Sequence, residues 1–379
     1  MQNLRDLLSR IADRDAKRSE ATVQADVRTL LLEAPFQLSE DDLREVHLES
    51  PAGERRRIDV ETGTTVIEVK RDLRRTGVLA DAVKQLTGYV EAREAEMKRR
   101  YVGVITDGAE WRCFQLTPDG LQEASTFTLR KDKPDSDGLV VWLEGVLATA
   151  QQIPPVPKEI TLRLGVGSSA HALDTTSLRA LYAAHKDHPS VRMKRQLWAR
   201  LLTTALGSQF PDTDELFVEH TLLVNTAEII AHAVLGLDPA LLPPAILLSG
   251  SQFAEHGLHG VVEPDFFDWV VFVPRGETFV RTLARRLSRF DWRAVEHDVL
   301  KVLYESVIPA ETRKKLGEYY TPDWLAERMV EDTVREPLAE RVLDPACGSG
   351  TFLFHAVRRY LQAADAAGLP VQEALTGVT

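Results

Sequence analysis

Two groups of residues have the types and spacing to do chemistry. The first is Asp59 together with Glu68 and Lys70, in a stretch rich in β-branched residues. Glu68 and Lys70 alternate with Ile67 and Val69, so both point to one face of a strand. Thr62-Gly63 lies between Asp59 and that strand and is a hairpin signal. A two-residue turn there sets Asp59 opposite Val66, on the face of Glu68 and Lys70. A three-residue loop sets it on the other face unless a bulge resets the register. Two converging carboxylates can hold Mg²⁺, which prefers hard oxygen ligands and keeps several waters. A lysine beside them can orient or deprotonate an attacking water, while the metal offsets charge on a phosphorane-like transition state. The same three residues also fit the solvated face of a charged hairpin.

The second group is Val342-Leu343-Asp344-Pro345-Ala346-Cys347-Gly348-Ser349-Gly350-Thr351-Phe352. It predicts a strand, a tight glycine turn and a helix start at Thr351. Glycines let backbone amides come close to a ligand, and the helix N-terminus adds the positive end of a dipole. An ordinary strand-to-helix corner has the same local pattern. Upstream stands Gly317-Glu318-Tyr319-Tyr320-Thr321-Pro322. Thr321 suits an N-cap and Pro322 a first helical turn, so a helix should run through Trp324, Leu325, Met329 and Val330. The tyrosine pair then sits at the mouth of that helix. Asp344, at the carboxyl end of its strand, is where open α/β sheets bind ligands.

The Asp-Pro-Ala-Cys-Gly-Ser-Gly-Thr-Phe run, preceded by Gly-x-Tyr-Tyr-Thr-Pro, resembles the opening of the amino-methylating, adenine-specific DNA methyltransferases. The resemblance implies an S-adenosylmethionine pocket lined by Tyr319, Tyr320, Thr321, Pro322, Asp344, Pro345, Ala346, Gly348, Gly350, Thr351 and Phe352. Asp59 followed by Glu68-x-Lys70 in a hairpin is similar to the core of the PD-(D/E)xK nucleases, with Ile58 where the named pattern has proline. That likeness implies Asp59 and Glu68 as Mg²⁺ ligands and Lys70 as the residue that activates water. It adds Glu20 at the start of the first helix and Gln85 in the helix after the hairpin. Asp81, Gln85 and Tyr89 share one face of that helix, opposite a stripe of Leu79, Val83, Leu86 and Val90.

These residues must be positioned by a chain of 379 residues, long enough for two or three domains. The sequence divides into an α/β unit over 1–130, a charged and proline-rich linker over 131–160 containing a short helix, a helical connector over 161–310, and a methyltransferase start over 311–379. The fold class is therefore multidomain: a PD-(D/E)xK nuclease-like α/β domain, a helical connector, and the beginning of a Rossmann-like, truncated S-adenosylmethionine-dependent methyltransferase domain. A net charge of −11 weighs against DNA binding if the charge is evenly spread. Basic residues are concentrated, however, in Arg55, Arg56, Arg57, Arg71, Arg74 and Arg75, and in the helix carrying Arg281, Arg285, Arg286, Arg289 and Arg293. Each cluster reads either as a phosphate grip or as a solvated surface. Two cysteines, Cys113 and Cys347, make no disulfide or zinc framework and fit a reducing, cytoplasmic compartment. No stretch is apolar enough to span a bilayer. His256-x-x-His259 has no acidic partner set and is not expected to hold a metal.

One part expected from the methyltransferase resemblance is missing. That family later carries an Asn/Asp/Ser-Pro-Pro-aromatic segment that holds the target amine of a flipped base. The Pro-Pro pairs here, Pro154-Pro155 and Pro243-Pro244, lie upstream between aliphatic residues. The 379 residues are thus expected to hold the start of a methyltransferase without its catalytic centre, and not to transfer methyl groups alone. The chain resembles the N-terminal portion of a type IIG or single-polypeptide type I restriction–modification enzyme. Its partners would be double-stranded DNA and the missing methyltransferase and target-recognition portion, or a partner subunit. Two alternatives stand beside this: a modification-only methyltransferase whose N-terminal domain merely binds DNA, and a non-catalytic adaptor.

Overall fold

The computed structural model describes residues 2–16, 18–34, 36, 47–51, 57–97, 99–148, 152–206, 210–258, 260–308, 311, 313–314 and 320–378. Helices α1 (Gln2–Ile11) and α2 (Glu20–Glu33) precede the hairpin strands β1 (His47–Pro51), β2 (Arg57–Thr62) and β3 (Thr65–Val69). Helix α3 (Val78–Met97) crosses to β4 (Val102–Thr106), followed by β5 (Glu110–Thr117), β6 (Gly120–Thr128) and α4 (Ser136–Leu147). The six strands lie in sequence order. All neighbours are antiparallel except β3 and β4, which run parallel because α3 carries the chain back between them.

Strand alternation divides two cores. Val60, Ile67, Val69 and Val104 face α1, α2 and α4. Val66, Ile105 and Phe114 face α3 through Leu86 and Val90. On α3 the expected stripe is rotated: Ala82, Leu86, Tyr89 and Val90 are buried, while Leu79 and Val83 are only partly so. Gly103 is where α3 comes closest to the sheet, since an added Cβ would lie 2.7 Å from Leu86 Cδ2. Gly103→Ala is therefore expected to lower stability by about 1–3 kcal/mol through overpacking, measurable by urea denaturation.

The helix expected inside the 131–160 linker is α4, capped by Asp135, and it packs Leu139, Trp142 and Leu143 into the core of the sheet. The chain continues through α5 (Pro157–Leu164), α6 (Ser169–His185), α7 (Pro189–Leu206) and α8 (Asp214–Val234), then through α9 (Gly276–Leu287) and α10 (Val299–Val307). Trp198, Phe217, Trp269 and Trp292 anchor a third, helical core. Helix α6 also lies against β5 and β6, and Arg275 pairs with Glu94 at 2.8 Å, so the sheet and the helices share a face.

Beyond α10, helices α11 (Asp323–Thr333) and α12 (Thr351–Ala366) meet through Val330, Val334, Ala356 and Phe352. The strand expected at 342–344 is not formed. A strand needs a neighbour for its backbone groups, and no described residues offer one there. Val342 and Leu343 are left 46 % and 85 % exposed. The basic helix also differs from both of its expected readings. Arg286 and Arg289 are buried, while Arg281, Arg285 and Arg293 stay exposed, and Arg293 donates to the Gly236 carbonyl at 2.8 Å.

Candidate functional site

Two regions gather the residues with chemical potential. In the first, the hairpin turn is Gly63-Thr64, one residue later than expected, with Thr62 paired to Thr65 and Val60 to Ile67. The turn still has two residues, and Asp59 comes beside Glu68 on the same face. Asp59 Oδ2 accepts from the Val69 amide at 2.8 Å, and Gln24 Nε2 donates to the Asp59 carbonyl at 2.7 Å. Glu68 is 2 % exposed. Its Oε1 accepts from Lys70 Nζ, while its buried Oε2 has no hydrogen-bond partner. Lys70 Nζ also lies 3.8 Å from Glu20 Oε1, which the Ser19 cap holds at the first turn of α2. Glu20, Lys70 and Gln85 line one cleft with Arg71, Arg75 and Asp81.

Burial, and next the charge of Asp59, push the Glu68 carboxyl up to about 7 in spite of Lys70. Burial pulls Lys70 down, but its bond to Glu68 and the charges of Glu20 and Asp59 outweigh this and hold it above the usual lysine range. A buried carboxylate with one oxygen unpaired beside a second carboxylate suits a divalent cation, so the residues fit Mg²⁺. No group of three or more His, Cys, Asp or Glu side chains suited to a metal occurs among the described residues, and His259 of the His256-x-x-His259 pair lies outside them. Arg74 is engaged by Asp72 at 2.9 Å. Arg55 and Arg56 lie outside the described residues, as does the side chain of Arg57.

Asp107 was not singled out by sequence reasoning. It is fully buried at the end of β4, where it accepts from the Leu73 amide at 2.8 Å and pairs with Arg14 at 2.8 Å. Together with the bond from the Lys70 amide to the Thr106 carbonyl, this fixes the loop that carries Arg71 and Arg75. Its only sequence signal was the Asp-Gly pair at the hairpin.

The second region is the glycine loop. Gly348 and Gly350 have positive φ, +55° and +90°, and an added Cβ would meet nothing within 4 Å at either, so the space over them is open. Gly350 caps α12, which begins at Thr351 as expected. Asp344 Oδ1 accepts from the Ala346 amide at 3.0 Å and its Oδ2 is buried without a partner, while Pro345 and Ala346 are exposed. Phe352 packs between α11 and α12. The N-cap of α11 is Pro322, not Thr321. Tyr320 stacks obliquely on Tyr304 at 5.5 Å, and Tyr319 lies outside the described residues.

What ties these segments together is the first turn of α10. Asp298 Oδ1 caps it by accepting from the Lys301 amide at 3.0 Å. Asp298 Oδ2 accepts from Ser349 Oγ at 2.6 Å and Thr351 Oγ1 at 2.7 Å. Lys301 Nζ donates to the Thr321 carbonyl at 2.6 Å and to Asp323 Oδ1 at 2.9 Å. Neither residue was picked out from the sequence, because the partners that join each to the Thr-Pro segment or the glycine loop lie twenty or more residues away.

Residues 295–372, which include Asp298, Lys301, the Thr-Pro segment and the glycine loop, match the N-6 DNA Methylase family. This C-terminal stretch is N-6 DNA methylase-like. The chain is 33 % identical over 90 residues to a type I restriction enzyme MjaVIII methylase subunit of Methanocaldococcus jannaschii, covering 23 % of this chain and 15 % of that one. It is 30 % identical over 95 residues to a type I restriction enzyme EcoEI methylase subunit of Escherichia coli, covering 24 % of this chain and 19 % of that one. The chain thus spans less than a fifth of the length of either relative. No solved structure matches. No helix among the described residues is long and apolar enough to cross a membrane.

Proposed function

We propose that this chain serves a DNA restriction–modification system, with an adenine-N6 methylase segment at its C-terminal end and a phosphodiester-cleaving unit at its N-terminal end. The observation that carries the methylase reading is the family match over 295–372, which falls on the loop that Asp298 holds beneath open space. In this reading S-adenosylmethionine lies over Gly348 and Gly350, close to Tyr320 and Asp344. The exposed Leu343 segment pairs with further strands of the methylase sheet, from elsewhere in the protein or from a partner subunit.

The cleavage half rests on the cleft at β3. Asp59 and Glu68, beside that cleft, would hold Mg²⁺, and the ion would supply a polarised water and charge stabilisation for the departing oxygen. Lys70 donates to Glu68 Oε1, and its remaining ammonium protons can orient that water and meet the reacting oxygens. Arg71, Arg75 and Gln85 line the same cleft, and in this reading they contact phosphates of double-stranded DNA.

The test is a nicking assay on supercoiled plasmid and phage DNA, with Mg²⁺ or with chelator, alongside photocrosslinking of labelled S-adenosylmethionine. Magnesium-dependent nicking, reduced at least a hundredfold by Glu68→Ala, is expected. Cleavage that survives this substitution rejects the assignment. DNA binding without cleavage would make the N-terminal unit a binding module of a modification-only enzyme.

A further inference from the structure

The sheet unit and the helical layer flank an open cavity of about 600 Å³ whose wall carries Arg99, Arg100, Arg285, Arg286 and Arg289. The carboxylates on the same wall are Asp174 and Asp238. Asp174 is engaged by Arg286, and Asp238 by Ser288 Oγ at 3.2 Å and the Ala240 amide at 2.9 Å. Positive charge is therefore in excess. Arg289 is 4 % exposed, with Nε bonded to the Arg286 carbonyl at 3.1 Å and Nη1 to the Glu144 carbonyl at 2.8 Å. Its Nη2 is buried with no partner, and so is Nε of Arg286. Guanidinium donors buried without an acceptor are costly, and a cluster of them calls for an anion. Burial, and then the charges of Arg286 and Arg163, press Arg289 down to about 9, the response of a cation lacking a counter-charge. Burial likewise lowers Arg100 to about 10.

We propose that this cavity binds a small diphosphate-bearing ligand, its oxygens held by Arg99, Arg100 and Arg289. Forked guanidiniums match phosphate oxygens two at a time, and several of them suit more than one phosphate group. The volume is that of a small-molecule site. Val146, Leu147 and Leu173 give part of the wall an apolar surface for an organic portion. A DNA duplex is a poorer occupant, because its backbone cannot approach an arginine as buried as Arg289 between two packed layers. The cavity touches β4, β5, α6 and α9, so a ligand there would clamp the sheet to the helices.

The experiment is calorimetric titration of the full chain with inorganic pyrophosphate and, in parallel, with adenosine diphosphate, using sulfate as the charge control. At least one probe should bind a hundredfold more tightly than sulfate, and Arg100→Gln should weaken it tenfold or more. Arg289→Met should abolish binding; should that variant fail to fold, the rim pair Arg99→Gln with Arg100→Gln carries the test. Tighter binding of the nucleotide identifies a nucleotide as the source of the diphosphate, and equal binding an inorganic one. The proposal is overturned if neither probe exceeds sulfate or if the rim substitutions leave affinity unchanged. It is equally overturned if Arg100→Gln weakens only duplex DNA binding.

Discussion

Between pH 5 and pH 8 the stability of the metal-free protein will fall relative to that of Glu68→Gln by roughly 2.5 kcal/mol. The carboxyl of Glu68 is raised from 4.5 to about 7 by burial and by Asp59. A group raised in the folded state stabilises fully below its unfolded value, and that contribution is lost as pH rises through the folded value. The loss therefore runs from about pH 4.5 to somewhat above pH 7. Glutamine keeps the shape and has nothing to titrate, so the variant lacks this slope; the broken contact with Lys70 only shifts its whole curve. Magnesium should act in the opposite direction. A cation bound by Asp59 and Glu68 favours the ionised carboxylate, so millimolar Mg²⁺ should stabilise the wild type most above pH 7 and leave Glu68→Gln unmoved. Chemical denaturation at several pH values, with and without Mg²⁺, measures both effects. Parallel pH curves would remove the unusual carboxylate, and an undiminished magnesium response in the variant would remove Glu68 from the metal site. Neither readout depends on cleavage activity.

The sequence made some of this legible and hid the rest for physical reasons. Alternation in 66–70 and the glycine after Thr62 located β2, β3 and the face shared by Glu68 and Lys70, because strand geometry is local, while the face of Asp59 hung on the length of the turn. The turn slipped by one residue without consequence, since its length and not its position sets the face. Helix starts at Ser19 and Thr351 were readable from their capping and glycine residues. Tertiary context decided the misses. Val342 and Leu343 have strand composition, but a parallel strand forms only against a neighbour. The arginines after Arg281 looked like a surface stripe; Arg286 and Arg289 are instead drawn inside by Asp174 and by carbonyls of Ala170 and Glu144. The tethering roles of Asp107, Asp298 and Lys301 were invisible because the segments they hold are distant in the chain. A charged residue seen alone in sequence gives no sign of how many groups it will join.

That last point makes Asp298 the residue whose loss should most disturb the methylase-like segment. Its carboxylate receives three donors, the Lys301 amide, Ser349 Oγ and Thr351 Oγ1, and it is 9 % exposed. Asp298→Ala removes the cap of α10 and leaves two hydroxyls without their acceptor, a local cost of about 2–4 kcal/mol. Since the glycine loop is otherwise open, that cost should appear as faster opening of the loop more than as global unfolding. Amide exchange over residues 348–354 should accelerate roughly a hundredfold, by the conversion of about 3 kcal/mol, while exchange in β3 and β4 stays unchanged. Asp298→Asn separates the two roles. Asparagine caps a helix nearly as well as aspartate, so α10 should hold, but a neutral amide is a weaker acceptor for the two hydroxyls and the loop should loosen partway. Exchange at Gly350 and Thr351 that is equally slow in all three proteins would show that the loop is held by α11 and α12 alone. If it does quicken, S-adenosylmethionine crosslinking should drop in the same order, because amides that must converge on a ligand cannot do so from a loop that has lost its tether.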